Sequence, residues 1–240
     1  MTILSTPILS TQGLCKNFDG LKAVQNVDFD LPKGQIRALI GPNGAGKTTL
    51  VGLLCGRITP SSGSVTFDGQ DISNLPAHKR INLGIAYTFQ VTSVFANLSV
   101  IENVALAARR RFKGAAVDGA VQEALTKVGL NTRSDQNAGD LSYGHQRLLE
   151  IAMGLAQQPR LLILDEPTQG LADTEVADFK ALVRDLSQTA TVLLIEHNMS
   201  VVMQLADYVT VLNFGQILAE GTPKEIHANP DVQAAYLGTK

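Results

Sequence analysis

No stretch of the 240-residue sequence approaches the roughly 18 consecutive apolar residues that a membrane span needs. The first residues, Met1 to Pro7, lack both the positive segment and the apolar stretch of a secretory signal. A soluble protein is therefore expected, one that meets a membrane only through a partner. Neither sign of charge dominates. The formal net charge is −2 and the isoelectric point about 6.1, which argues against a surface built mainly for nucleic acid. Cysteine is scarce. Cys15 and Cys55 lie far apart, with neither a metal-ligand spacing nor a disulfide framework, so a reducing cytosol is the expected compartment. Cys55, beside Leu53 and Leu54, reads as a small buried apolar residue. Internal repeats and low-complexity linkers are also absent. A chain of this length buries about 70–75% of its unfolded surface, enough for one large domain or one domain with an inserted lobe.

What the chain does have is Gly41-Pro42-Asn43-Gly44-Ala45-Gly46-Lys47-Thr48-Thr49, which fits the phosphate-loop pattern G-x-x-x-x-G-K-[ST]. Arg37 to Ile40 reads as a short strand entering it. Leu50, Leu53 and Leu54 follow at helical spacing, with few breakers before Pro60. The glycines let successive backbone N–H groups turn inward onto phosphate oxygens, and the helix N-terminus adds partial positive charge. Lys47 reaches β- and γ-phosphates, and the Thr48 hydroxyl can ligate Mg²⁺.

Upstream, Ile8-Leu9-Ser10, Ala23 to Leu31 and Ile36 to Ile40 have strand character, separated by the turn signals Asp19-Gly20 and Pro32-Lys33-Gly34. Val27, Phe29 and Leu31 alternate with Asp28 and Asp30, as in a half-buried antiparallel strand, and Ser64 to Gly69 reads as another. Leu161 to Leu164 and Val192 to Ile195 are instead continuously apolar, as parallel strands covered on both faces are. Val176, Phe179, Leu182, Val183 and Leu186 between them follow helical spacing, which makes a βαβ crossover. From about 91 to 140 the apolar spacing is helical throughout, with Ser99 as a cap, and predicts a small inserted helical lobe.

The Leu161–Leu164 strand ends in Asp165-Glu166. The aspartate can hold Mg²⁺, directly or through water, opposite Thr48, and Glu166 can polarise a water for attack on the γ-phosphate. His197 follows the next parallel strand, from where its ring could reach the same phosphate. Gln90 follows Ile85 to Phe89 at the seam with the helical lobe, where its amide could touch Mg²⁺ or the attacking water. In Leu141-Ser142-Tyr143-Gly144-His145-Gln146, Ser142 is a good N-cap and Leu148, Leu149, Ile151, Ala152 and Leu155 give the helix an apolar face. This is either an ordinary capped helix or a second anion site, redundant unless it serves another molecule.

Together these segments resemble the ABC-transporter ATPase family over nearly the whole chain, in the family's order and spacing. The resemblance implies an α/β fold: a P-loop NTPase core with a mixed, largely parallel sheet, an N-terminal antiparallel β subdomain and an inserted helical subdomain. Residues 1–240 would form a single nucleotide-binding domain, with its core at 1–90 and 141–240 and its insert at about 91–140. It implies ATP and Mg²⁺ as cofactors, with Glu166, His197 and Lys47 catalytic and Thr48, Gln90 and Asp165 around the metal. Phe18 matches the aromatic that stacks on adenine; the alternative is a core phenylalanine. Two such domains pack head to tail in the family, so that Ser142 and Gly144 of one close on the γ-phosphate held by the other. Asp173 matches the loop crossing that interface.

Tyr143 and His145 depart from the commonest signature, which carries glycine at the first position and glutamine or glutamate at the second. With Tyr87-Thr88-Phe89-Gln90, Ile195 to Met199 and the ending Ala235-Tyr236-Leu237-Gly238, the signature looks like that of branched-chain amino-acid importers. Urea and short-chain amide importers are similar, and lipopolysaccharide-export ATPases are similar near the C-terminus. The implied partners are integral-membrane permease subunits at the cytoplasmic face of the inner membrane, a second ATP-binding subunit and, indirectly, an extracytoplasmic solute-binding protein. Nucleic acid is not among them. The second ATPase is a copy or a paralogue, and the subfamily resemblance favours the paralogue. Residues Val91 to Val100 would line the permease groove. Arg109-Arg110-Arg111-Phe112-Lys113 reads as a solvated helix face or as a contact for anionic lipid.

Overall fold

The computed structural model describes residues 7–88 and 93–237. Its first sheet is antiparallel. Strand β1 (Pro7–Phe18) pairs with β2 (Leu21–Pro32) through the Asp19-Gly20 turn. After β3 (Ile36–Ile40) and helix α1 (Lys47–Leu54), β4 (Ser62–Phe67) joins the other edge of β1 and pairs with the two-residue β5 (Gln70–Asp71). The sequence pattern marks only residues 8–10 of β1. The rest is hidden because its register shifts repeatedly, so polar Gln12, Lys16 and Asn17 break the period-2 alternation. Gly13, at φ +55, sits within one of these irregularities.

The second sheet has the order β10-β9-β3-β8-β7-β6. Here α2 (Ala77–Asn82) leads into β6 (Ile85–Thr88), and β7 (Leu161–Asp165) crosses through α6 (Asp173–Leu186) to β8 (Thr191–Ile195). Helix α7 (Met199–Leu205) then leads to β9 (Tyr208–Asn213), and β10 (Gln216–Gly221) returns antiparallel as the edge strand. All other pairings are parallel. Leu161 and Ile163 face a core made with α1 and the antiparallel sheet, whereas Leu162 and Leu164 face the helices on the other side. That two-sided cover is why β7 and β8 read as unbroken apolar runs.

The helical layer holds α3 (Val100–Ala108), α4 (Ala115–Val128) and α5 (Tyr143–Leu155). Ser99 and Glu102 form a full capping box on α3. Asn103 on the same helix is fully buried. It accepts from the Phe95 N–H at 2.8 Å and donates to the carbonyls of Phe95, Leu98 and Ser99, pinning the segment ahead of α3. The boundary expected at 140 falls just ahead of α5, which packs on α3 and α4 and also against β6. Its apolar face thus lies in one cluster with α3, α4 and the parallel sheet. The chain ends in α8 (Pro223–Ala228) and α9 (Pro230–Leu237), which lie against β9 and β10. Among the described residues no helix is long and apolar enough to cross a membrane. Cys55 is buried and its thiol is pushed up to about 12 by desolvation, so it is an inert packing residue.

Candidate active site

Residues 41–49 join β3 to α1, with Gly46 as a left-handed N-cap at φ +100. The loop is held tightly from behind. A Cβ at Gly41 would run into the Leu212 carbonyl, and one at Gly46 into the Ala23 carbonyl, so only glycine fits either position. Gly215 of the β9–β10 turn donates to the Ala45 carbonyl at 2.8 Å. Asn43, Gly44 and Thr48 are exposed, so this rigid turn offers its outer side to a ligand. The Lys47 ammonium bridges back to the carbonyls of Gly41, at 2.5 Å, and Pro42, at 3.0 Å. Burial lowers its pKa, opposed by the charges of Glu166 and Asp165.

Asp165 ends β7 almost fully buried. The Tyr87 hydroxyl, on the neighbouring β6, donates to its Oδ2 at 2.7 Å. Burial raises the Asp165 pKa, against the Tyr87 hydrogen bond that favours the ionised form, while Glu166 adds to the rise. The Tyr87 phenol is itself pushed up, first by burial and then by donation to Asp165, so it remains a donor. The Arg57 guanidinium lies 5.4 Å from the Tyr87 ring centroid.

Glu166 adopts φ +46, a left-handed backbone that costs a non-glycine residue about 1 kcal/mol or more. Its N–H donates to the Ile195 carbonyl at 2.9 Å, and its carbonyl accepts from Arg147 Nη2 at 3.3 Å. Arg147 comes from α5, is buried, and pairs with Glu150 at 2.8 Å. His197 leaves the end of β8 with its Nδ1 at 3.9 Å from Glu166 Oε1. The carboxylate is 19% exposed and the imidazole 57%, so both open to solvent on the same side. Around one point stand a lysine ammonium, two carboxylates and an imidazole, beside a glycine turn at a helix start. Such a set can hold a phosphate chain and activate water. The oxygen donors, the Asp165 carboxylate and the Thr48 hydroxyl, suit Mg²⁺ completed by phosphate and water.

The Ser142 hydroxyl caps α5, accepting from the His145 N–H at 3.3 Å. Gly144 is buried against Glu175 at the start of α6, where a Cβ would collide with that carboxylate. Among the described residues no hydrogen bond joins this segment to residues 41–49. Asp173 is exposed at the first turn of α6. Phe18 is 43% exposed at the end of β1, which removes the core alternative, and the Lys16 ammonium lies 4.9 Å from its ring centroid. Gln90 lies outside the described residues.

Comparison with known proteins bears directly on this arrangement. The family model "ABC transporter" matches residues 24–169. The chain belongs to the ABC-transporter ATP-binding family. A second family model, "Branched-chain amino acid ATP-binding cassette transporter", matches residues 216–240 of this ABC cassette. The cassette is 42% identical to the high-affinity branched-chain amino acid transport ATP-binding protein BraF of Pseudomonas aeruginosa, over 98% of this chain and 99% of that protein. It is 40% identical to LivG of Escherichia coli K12, a protein of the same description, over the same shares. A crystal structure of an ATP-binding cassette in its ADP conformation covers 98% of this chain and 100% of its own, with a TM-score of 0.90 and 30% identity. The cassette is thus a nucleotide-binding ATPase of the mixed α/β architecture expected from its motifs.

Two residues of this site have roles that no motif gives: Tyr87 lies in a motif segment that assigns it no partner, and Arg147 follows the Leu141–Gln146 segment with no pattern of its own. The Arg109–Arg111 cluster is not a helix face. Helix α3 ends at Ala108, and Arg111 donates to the carbonyls of Gln157 and Gln158 just past α5, where a cation complements the helix dipole.

Proposed function

We propose that this cassette is the ATP-hydrolysing subunit of an importer for branched-chain amino acids. The observation that carries the reading is near-full-length identity of 40–42% to two ATP-binding proteins of such transporters. The match of residues 216–240 to the family model named for them adds to it. In this reading the N–H groups of residues 43–48 and Lys47 hold the ATP phosphates, with Phe18 under the adenine. Thr48, Asp165 and Gln90 hold Mg²⁺, which would neutralise charge on the β- and γ-phosphates. Glu166 accepts a proton from the water that attacks the γ-phosphorus as the bond to ADP breaks, and His197 holds the γ-phosphate oxygens. Ser142 and Gly144 of a second ATP-binding subunit, a copy or a paralogue, complete the site across a head-to-tail interface.

The permease would seat on a depression of about 420 Å³ lined by residues including Ile81, Phe95, Leu106, Arg110 and Met153. Phe95 and Leu106 are exposed there, 55% and 40%, beside the strand carrying Tyr87. An apolar groove joined to the metal site through Tyr87 suits a device that passes nucleotide state to a membrane partner at the cytoplasmic face. The test is uptake into proteoliposomes holding the cassette, its permease and a second ATPase. Labelled leucine, isoleucine and valine should accumulate with ATP, and turnover should stop on Mg²⁺ chelation. Uptake of urea or short amides in their place would sink the solute assignment. Glu166→Gln should lower ATPase turnover by about 100-fold or more while leaving an ATP-dependent dimer.

A further inference from the structure

The Glu166 carboxylate and the His197 ring stand 3.9 Å apart, and the imidazole is more than half exposed. One buried carboxylate ties together the two stretches of backbone that carry them. Glu196 is fully buried at the end of β8. Its Oε1 accepts from the N–H of Thr168 at 3.2 Å and from the Thr168 hydroxyl at 2.5 Å. Its Oε2 accepts from the N–H groups of His197, at 3.0 Å, and Asn198, at 3.1 Å. One oxygen thus holds the turn two residues after Glu166, and the other holds the turn from which the His197 ring projects. Among the described residues Glu196 forms no ion pair, so its charge is satisfied by these donors alone. Such an acceptor fixes its partners closely, because a displaced donor leaves both itself and a buried charge unsatisfied.

We infer that Glu196 is a positioning residue for hydrolysis, holding Glu166 and His197 in register about the attacking water. The left-handed backbone of Glu166 gives the clamp something to oppose. A residue at φ +46 relaxes unless both flanks are held, and here the Ile195 carbonyl holds one side and Thr168 the other. Glu196→Gln places an amide N–H₂ against N–H donors, on one side or the other, without changing the size of the side chain. Thr168→Val removes only the hydroxyl donor, and Thr168→Ser keeps it.

The inference rests on the roles proposed for Glu166 and His197, so Glu166→Gln and His197→Ala are measured in the same assembled transporter. Loss of activity in those two variants supports their roles independently of Glu196. For Glu196→Gln, kcat should fall about tenfold or more with KM for ATP held within about twofold. Thr168→Val should show a smaller loss of the same kind, and Thr168→Ser should recover most of it. The ATP-dependent dimer should persist when Glu196→Gln is added to Glu166→Gln, because the phosphate loop and Phe18, which make most of the proposed contacts to ATP, do not touch Glu196. Parental kcat in both Glu196→Gln and Thr168→Val would overturn the proposal. So would losses of kcat and ATP affinity that track a falling Tm, which mark a merely structural residue. Should Glu196→Gln fail to fold, the Thr168 pair decides alone: an unchanged kcat in Thr168→Val overturns the proposal, and a kcat loss reversed in Thr168→Ser sustains it.

Discussion

Tyr87 and Asp165 share a 2.7 Å hydrogen bond between the ends of adjacent strands, with the carboxylate almost fully buried. A hydrogen bond to a charged group contributes about 1.5–3 kcal/mol, so Tyr87→Phe should lower stability by that order without Mg²⁺. Thermal unfolding in chelator checks the loss, and the same variant should need more Mg²⁺ to half-saturate ATP turnover. At the rim, Phe18 offers an exposed ring with one ammonium nearby. Stacking of a base on an aromatic contributes about 1–3 kcal/mol, so Phe18→Ala should weaken ATP binding by about tenfold with little change in kcat. Titration with a fluorescent nucleotide measures it. Tyr87 shows how a site residue escapes a sequence reading. Its role depends on a partner 78 positions away, and a tyrosine in a short apolar strand looks like packing.

At the scale of elements, the helical layer depends on the start of α3. Ser99 supplies the capping box, and Asn103 closes the preceding segment onto the same turn. Ser99→Ala should cost about 1 kcal/mol. Asn103→Ala removes a fully buried amide that bonds the N–H of Phe95 and the carbonyls of Phe95, Leu98 and Ser99, and should cost about 1–3 kcal/mol. The second loss should exceed the first in urea unfolding, and only Asn103→Ala should also weaken permease binding, since Phe95 lines the proposed groove. The helical nature of this region and the cap at Ser99 were legible in the spacing of Val100, Val104 and their neighbours. The packing of α5 on β6 as well as on α3 and α4 was not. An amphipathic pattern says that a helix buries one face, without naming the elements that cover it.

At the scale of the whole molecule, one chain holds a phosphate loop and a signature-like segment with no hydrogen bond between them among the described residues. Head-to-tail pairing predicts complementation in a homodimeric preparation. Lys47→Ala and Ser142→Arg should each be inactive alone, but mixing them should restore up to about a quarter of the parental sites, because each mixed dimer keeps one intact pair. ATPase assays on the mixture and on its separate components decide this, and no recovery would count against pairing across the interface.

The motifs by themselves determined the chemistry and the order of the core. A phosphate loop needs its glycines and lysine at fixed spacing within one short turn, strands covered on both faces need unbroken apolar runs, and both requirements act over fewer than about ten residues. Tertiary structure alone decided what stands beside what. The sheet order β3-β8-β7-β6 runs against the chain order, and it brings Tyr87 to Asp165 and, across 28 positions, Thr168 to Glu196. Such contacts come from strands pairing across the fold, and spacing along the chain carries no record of which strands become neighbours.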